Sequence, residues 1–166
     1  MRKVTVALFA FILAIAFSLG CAKKEEPKAK EEKILLGWLK GDDWWQQLPK
    51  FKENFDVYQP DSAAVASIKG YPKEVSVLLF LGTWCSDSER EVPRFLKTLK
   101  LTQNPKIGLQ VYGVPRGFAE KDEMAKKYGI EKVPTFIVST DGKEVGRIIE
   151  TPTLTVEEDF ASLLME

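Results

Sequence analysis

The sequence predicts an α/β fold with a mixed central sheet and helices on both faces, and three stretches carry that prediction. Residues Val75 to Leu81 (Val-Ser-Val-Leu-Leu-Phe-Leu) form an apolar run of strand length, as expected for a central strand buried on both faces. A helical pattern then separates it from a second strand at Ile107–Val114, which makes a parallel strand–helix–strand unit. Downstream, Asp141-Gly142 is a strong hairpin turn between Thr135–Ser139 and Glu144–Ile149. A parallel unit followed by an antiparallel hairpin gives a mixed sheet with helices packed on its faces.

The elements follow in order. Trp38, Leu39, Trp44, Trp45, Leu48 and Phe51 recur at spacings near three and four, which predicts an amphipathic helix starting around Asp42 or Asp43 and broken near Pro49. Aromatic residues at that density read as core. Asp61 is an N-cap for a short helix ending before Gly70. Gly82-Thr83-Trp84 ends the central strand, and Ser86 to Leu101 is a helix with Val92, Phe95, Leu96 and Leu99 on one face and a kink at Pro93. Glu89, Arg90 and Glu91 read as its solvated start. Ala119 to Tyr128 is a helix closed by Gly129. The chain closes with a helix from Thr155 to Leu164, where Thr155 and Glu158 are spaced as a capping box.

Ahead of this domain lie two shorter segments. Arg2 and Lys3 precede an apolar run from Val4 to Phe17, then Ser18-Leu19-Gly20-Cys21. A basic start, a short apolar stretch and small residues describe an export signal. The run falls short of the roughly 20 apolar residues of a membrane span. The end of this signal resembles the lipobox of bacterial lipoproteins, in which the cysteine is acylated and becomes the mature N-terminus. Leu19 stands one place later than that pattern has it, with Ser18 in its position. An uncleaved anchor helix and an ordinary cleaved signal are the alternatives. Residues 22–33 alternate Lys and Glu without a large apolar side chain, as a solvated tether reaching roughly 20 Å does. The expected organisation is a signal over 1–20, a lipidated Cys21 with its tether over 21–33, and a domain over 34–166 whose first part, 34–70, is a helical extension. The protein is thus expected to be exported and held at the cell envelope, on the periplasmic or extracytoplasmic face, by lipid on Cys21.

Composition narrows the chemistry. The 166 residues contain no histidine and carry 24 basic against 24 acidic side chains. Without imidazole, Ser-His-Asp and Cys-His catalysis and His-ligated metals are excluded. Zero net charge gives no footprint for nucleic acid. Two cysteines cannot build a zinc site by themselves. No metal or other cofactor is expected, so chemistry falls to a thiol, hydroxyls, carboxylates or amines.

Cys85 is the thiol in question. It lies where an apolar strand ends and a helix begins, so free backbone N–H groups and the helix dipole can stabilise a thiolate there. A thiolate attacks disulfides and peroxides. Asp87, in the same turn, opposes it. The run Phe80-Leu81-Gly82-Thr83-Trp84-Cys85-Ser86-Asp87-Ser88-Glu89-Arg90-Glu91-Val92-Pro93 resembles the active-site strand and helix of the thioredoxin-like family, particularly its membrane-attached bacterial branch of thiol–disulfide oxidoreductases. Ala125-Lys-Lys-Tyr-Gly-Ile-Glu-Lys-Val-Pro-Thr-Phe resembles the family's helix and cis-proline loop. The resemblance implies a three-layer thioredoxin-like fold, Cys85 as nucleophile, and a substrate groove shaped by Trp84, Val133 and Pro134. It also exposes two departures. Ser88 occupies the place of the resolving cysteine, and Leu79 that of the family's buried carboxylate on the central strand. A mixed disulfide at Cys85 would then need an outside thiol for release. Three functions remain: a monothiol oxidoreductase acting on protein thiols and disulfides or a low-molecular-weight thiol, a peroxide-responsive thiol protein, and a thioredoxin-like binding or scaffold module without redox turnover.

Overall fold

The computed structural model describes residues 33–165. The signal segment, Cys21 and the tether up to residue 32 lie outside the described residues. No helix among the described residues is long and apolar enough to cross a membrane.

The sheet has five strands: β1 (Gly37–Leu39), β2 (Val75–Leu81), β3 (Ile107–Gly113), β4 (Thr135–Thr140) and β5 (Lys143–Ile149), in the order β1-β3-β2-β4-β5. β2 is central, parallel to β3 and antiparallel to β4. Among the described residues the helices are α1 (Pro49–Val57), α2 (Ser62–Gly70), α3 (Ser86–Thr102), α4 (Phe118–Lys121), α5 (Glu123–Tyr128) and α6 (Val156–Met165), with a short 3-10 turn at Trp44–Gln47.

Strand periodicity sorts β2 between two cores. Val75, Val77, Leu79 and Leu81 join Phe51 and Phe55 of α1, Ile68 of α2, Val92 and Phe95 of α3 and Phe160 of α6 on one face. On the other, Phe80 packs with Phe118 of α4, Ala125 of α5, Val133 and Ile137. Burial on both sides is why β2 is written in apolar residues with little alternation.

Three local differences from the sequence reading have physical reasons. The segment 34–70 is not helical throughout: Gly37–Leu39 is an edge strand paired antiparallel with Gly113, Tyr112 and Val111. An isolated strand of three residues holds only against a pre-existing edge, so no local pattern announces it. The helix read over 119–128 is two helices, because the Asp122 side chain accepts from the Ala125 N–H at 2.9 Å and caps a new start. Finally, Glu91 is not on a solvated helix start. It is 1 % exposed, on the buried stripe of α3 with Ser88, Val92, Phe95 and Thr98. Its Oε1 accepts from Arg90 Nε at 2.5 Å and Arg94 Nη1 at 3.3 Å, and its Oε2 is buried without a hydrogen-bond partner.

Long-range polar contacts lock the helical layer. α3 runs through Pro93, whose missing N–H leaves the Glu89 carbonyl unsatisfied within the helix. Asn54 of α1 donates to that carbonyl at 2.9 Å. Asp61 caps α2 by accepting from Ala64 N–H at 2.8 Å, while its own N–H donates to the buried Glu157 at 2.9 Å. Tyr58 completes the set by donating its hydroxyl to Glu157, 3.0 Å from either carboxylate oxygen. The capping box of α6 forms as its spacing predicts: Glu158 N–H donates to Thr155 Oγ1 at 3.3 Å, and Thr155 N–H to Glu158 Oε2 at 3.2 Å.

Candidate functional site

The register of the sheet assembles the site. Phe80 near the end of β2 stands opposite Thr135 at the start of β4. The residues just beyond β2, which lead to Cys85, therefore meet the residues just before β4, Val133 and Pro134. Cys85 is the N-cap of α3 in an extended conformation, with its N–H donating to Gly82 O and its carbonyl accepting from Glu89 N–H, both at 2.9 Å. The side chain is partly exposed, and its Sγ–H donates to the Val133 carbonyl at 3.3 Å. The Val133–Pro134 peptide is cis. Cys85, Trp84, Val133 and Pro134 are thus brought together, with Val133 and Pro134 both buried.

Trp84 is fixed from three sides. Its Nε1 donates to Val114 O at 2.9 Å, and the Arg116 guanidinium lies 4.9 Å from the ring centroid. Gly82 supplies the third contact: a Cβ there would come within 2.6 Å of the indole. Only a residue without a side chain lets the ring lie that close to the backbone.

Ser88 follows three residues along α3 from Cys85. It is fully buried, and its Oγ accepts from Gly82 N–H at 3.3 Å. The hydroxyl thereby satisfies a backbone donor between strand and helix. Cys85 is the sole free cysteine among the described residues, and no cluster there could hold a metal ion.

Several residues at the site gave no readable signal in the sequence. Thr83 is buried, accepts from Leu35 N–H at 3.1 Å and donates to Lys33 O at 3.0 Å, which pins the entry of the domain two residues from Cys85. Gly113 permits the same passage, since a Cβ there would sit 2.2 Å from Leu35 O. Arg116 belongs to the site through its stack on Trp84. Arg147 does not: it pairs with Glu144 and donates to Tyr128 O at 2.8 Å.

The residues after β5 are tied to the cis-proline loop and to α3. Glu150 adopts φ 56°, a left-handed conformation that costs a non-glycine residue about 1–2 kcal/mol. Its N–H donates to Pro134 O at 2.7 Å, and its carboxylate pairs with Lys132 at 2.5 Å. Arg90 ties the next residue to the helix bearing Cys85, donating to Thr151 Oγ1 at 3.1 Å while pairing with Asp87 at 2.8 Å. Hydrogen bonding to Glu91 raises the guanidinium pKa of Arg90, and the bond to Asp87 adds to it. Asp87, the acidic residue expected to oppose a thiolate, is ion-paired with Arg90.

No family model matches the chain, and no curated protein matches it. Among solved structures it is similar to a Pseudomonas aeruginosa protein of unknown function, with a TM-score of 0.52 and 18 % identity over 70 % of this chain and 79 % of that one. Two thioredoxins also align. For thioredoxin-2 of a malaria parasite the TM-score is 0.45, with 19 % identity over 56 % of this chain and 82 % of that one. For the thioredoxin of Fasciola hepatica it is 0.41, with 22 % identity over 59 % and 85 %. The fold is of the thioredoxin-like class: a mixed five-stranded sheet between helical layers, with a cysteine at the start of the helix after the central strand and a cis-proline before the next antiparallel strand.

Proposed function

We propose that the chain is an exported, lipid-anchored monothiol oxidoreductase that works through mixed disulfides at Cys85. The observation that carries this reading is the placement of Cys85: a partly exposed thiol at the start of a 17-residue helix, against the cis Val133–Pro134 peptide, with no second thiol in the described domain. The Cys85 thiolate attacks a disulfide R–S–S–R′, forming Cys85–S–S–R and releasing R′S⁻. With Ser88 buried and offering only a hydroxyl, no internal group displaces R. An outside thiol R″SH attacks instead, regenerates the Cys85 thiol and leaves as R–S–S–R″. Each cycle exchanges one disulfide for another, with no net oxidation of the protein and no cofactor. Substrates are protein disulfides or a low-molecular-weight thiol pair, and Cys21 supplies the attachment to the membrane.

The test is trapping in cells. Acid-quenched extracts run without reductant should contain Cys85-dependent adducts of the protein that collapse on reduction and are missing from Cys85→Ala. If wild type and Cys85→Ala give the same adduct pattern, the domain acts without its thiol and is a binding module.

A further inference from the structure

Three large apolar side chains stand outward along β1 and the residues leading into it. From Ile34 to Leu39 exposure alternates with a period of two. Ile34 (41 %), Leu36 (58 %) and Trp38 (47 %) face solvent, whereas Leu35 and Leu39 pack against the larger core. An extended chain accounts for the period. It does not account for the outward set being apolar, because an exposed edge is better served by charged side chains. Trp38 meets Tyr112 edge-on at 5.2 Å, and Tyr112 tilts against Phe80 at 5.5 Å, so the stripe lies on the sheet face that also carries Trp84 and Cys85. Lys33 and Lys40, both exposed, flank it. Aliphatic side chains beside an exposed indole and bordered by lysines suit the lipid interface, where the indole spans the boundary and lysine stems reach back to the headgroups.

Given the anchoring proposed above, the length of the preceding chain argues for a bilayer over another protein. Residues 22–32 alone separate Cys21 from Lys33, and such a stretch spans at most about 40 Å even fully extended. Immediately before Cys21 and its small-residue lead lies the apolar run Val4–Phe17. An acyl chain on Cys21 or the retained run itself would hold the stripe within that distance of the bilayer. We propose that Ile34, Leu36 and Trp38 form a membrane-docking face that seats in the lipid interface beside the anchor. Because Lys33 and Leu35 are hydrogen-bonded to Thr83, docking would also hold the Cys85 end of the sheet at the membrane.

Trp38 is the exposed indole of the domain, since Trp44 and Trp45 are buried and Trp84 is half-buried. The full chain is therefore reconstituted in phosphatidylcholine vesicles with and without brominated acyl chains. Bromination should cause a loss of emission in the wild type that disappears in Trp38→Phe. It should shrink in an Ile34→Ser, Leu36→Ser double variant that keeps Trp38 and an unchanged melting temperature. Equal quenching in wild type and Trp38→Phe, or none in either, overturns the proposal. So does protection of Trp38 that grows with the protein-to-lipid ratio and is accompanied by cross-links between copies, which would assign the stripe to a second molecule.

Discussion

Alanine at Gly82 places one methyl group where the structure has no room for it. The new Cβ would stand 2.6 Å from Trp84 Cε2 and 2.9 Å from both Cζ2 and Nε1. All three atoms belong to a rigid ring, so no terminal rotation relieves the contact and the indole must move bodily. The ring is also tethered through Nε1 to Val114 O at 2.9 Å. Overpacking of this kind costs about 1–3 kcal/mol, and loss of the hydrogen bond adds about 1 kcal/mol. The sum, about 2–4 kcal/mol, corresponds to a Tm lower by roughly 10 °C for a domain of this size. Thermal and urea denaturation of Gly82→Ala measure it. Gly108→Ala is the control, because its Cβ would meet nothing nearer than Val75 O at 3.9 Å. Trp84→Ala in the same background should remove the clash, so the double variant should lose less than the sum of the two single losses. A Gly82→Ala protein as stable as Gly108→Ala would refute the reasoning.

The remaining predictions concern the site and the helical layer. Ser88→Cys should place a second thiol one helical turn from Cys85, so that mixed disulfides no longer accumulate and an internal disulfide appears by mass spectrometry. It should cost about 1 kcal/mol through loss of the hydroxyl that accepts from Gly82 N–H. Tyr58 sits above its ordinary pKa of 10.0, pushed up first by burial and then by its hydrogen bond to Glu157. The unfolded chain therefore gives up this proton before the folded one, and stability falls as pH rises above about 10. The slope is at most about 1.4 kcal/mol per pH unit and smaller once water screening of a half-buried group is allowed for. Tyr58→Phe should flatten that alkaline limb and lower stability at pH 7 by about 1–3 kcal/mol, because buried Glu157 loses a donor; unchanged stability at pH 7 would contradict this. Thr155→Ala should cost about 1 kcal/mol by opening the capping box of α6, measured by urea denaturation.

What was legible in the sequence follows from how far each signal reaches. The β2 strand, the α6 capping box and the 141–142 hairpin are local patterns, and all three stand where their residues place them. The meeting of Cys85 with Val133 was legible only through the family resemblance, since the two are 48 positions apart and are joined by the register of β2 against β4. β1 escaped because three residues carry no periodicity, and Trp38 and Leu39 fit a helical spacing as well as a strand. Glu91 escaped for a different reason. Its neighbours Glu89 and Arg90 are charged, yet the α3 stripe turns this one carboxylate inward, onto Arg90 and Arg94. The roles of Thr83 and Arg116 depend on Lys33, Leu35 and Trp84 arriving from elsewhere in the chain, which composition and spacing do not encode.

The most direct test of Cys85 as the working thiol uses the reduced, folded full chain mixed with oxidised glutathione and read by mass spectrometry. In a Cys21→Ser background, one glutathione should attach at Cys85, persist after excess reagent is removed, and leave when a fresh thiol is added, while the further change Cys85→Ala leaves the chain unmodified at the same conditions. Modification of Cys85 only after denaturation would show a thiol closed off behind Val133 and Trp84 and would contradict a mixed-disulfide mechanism.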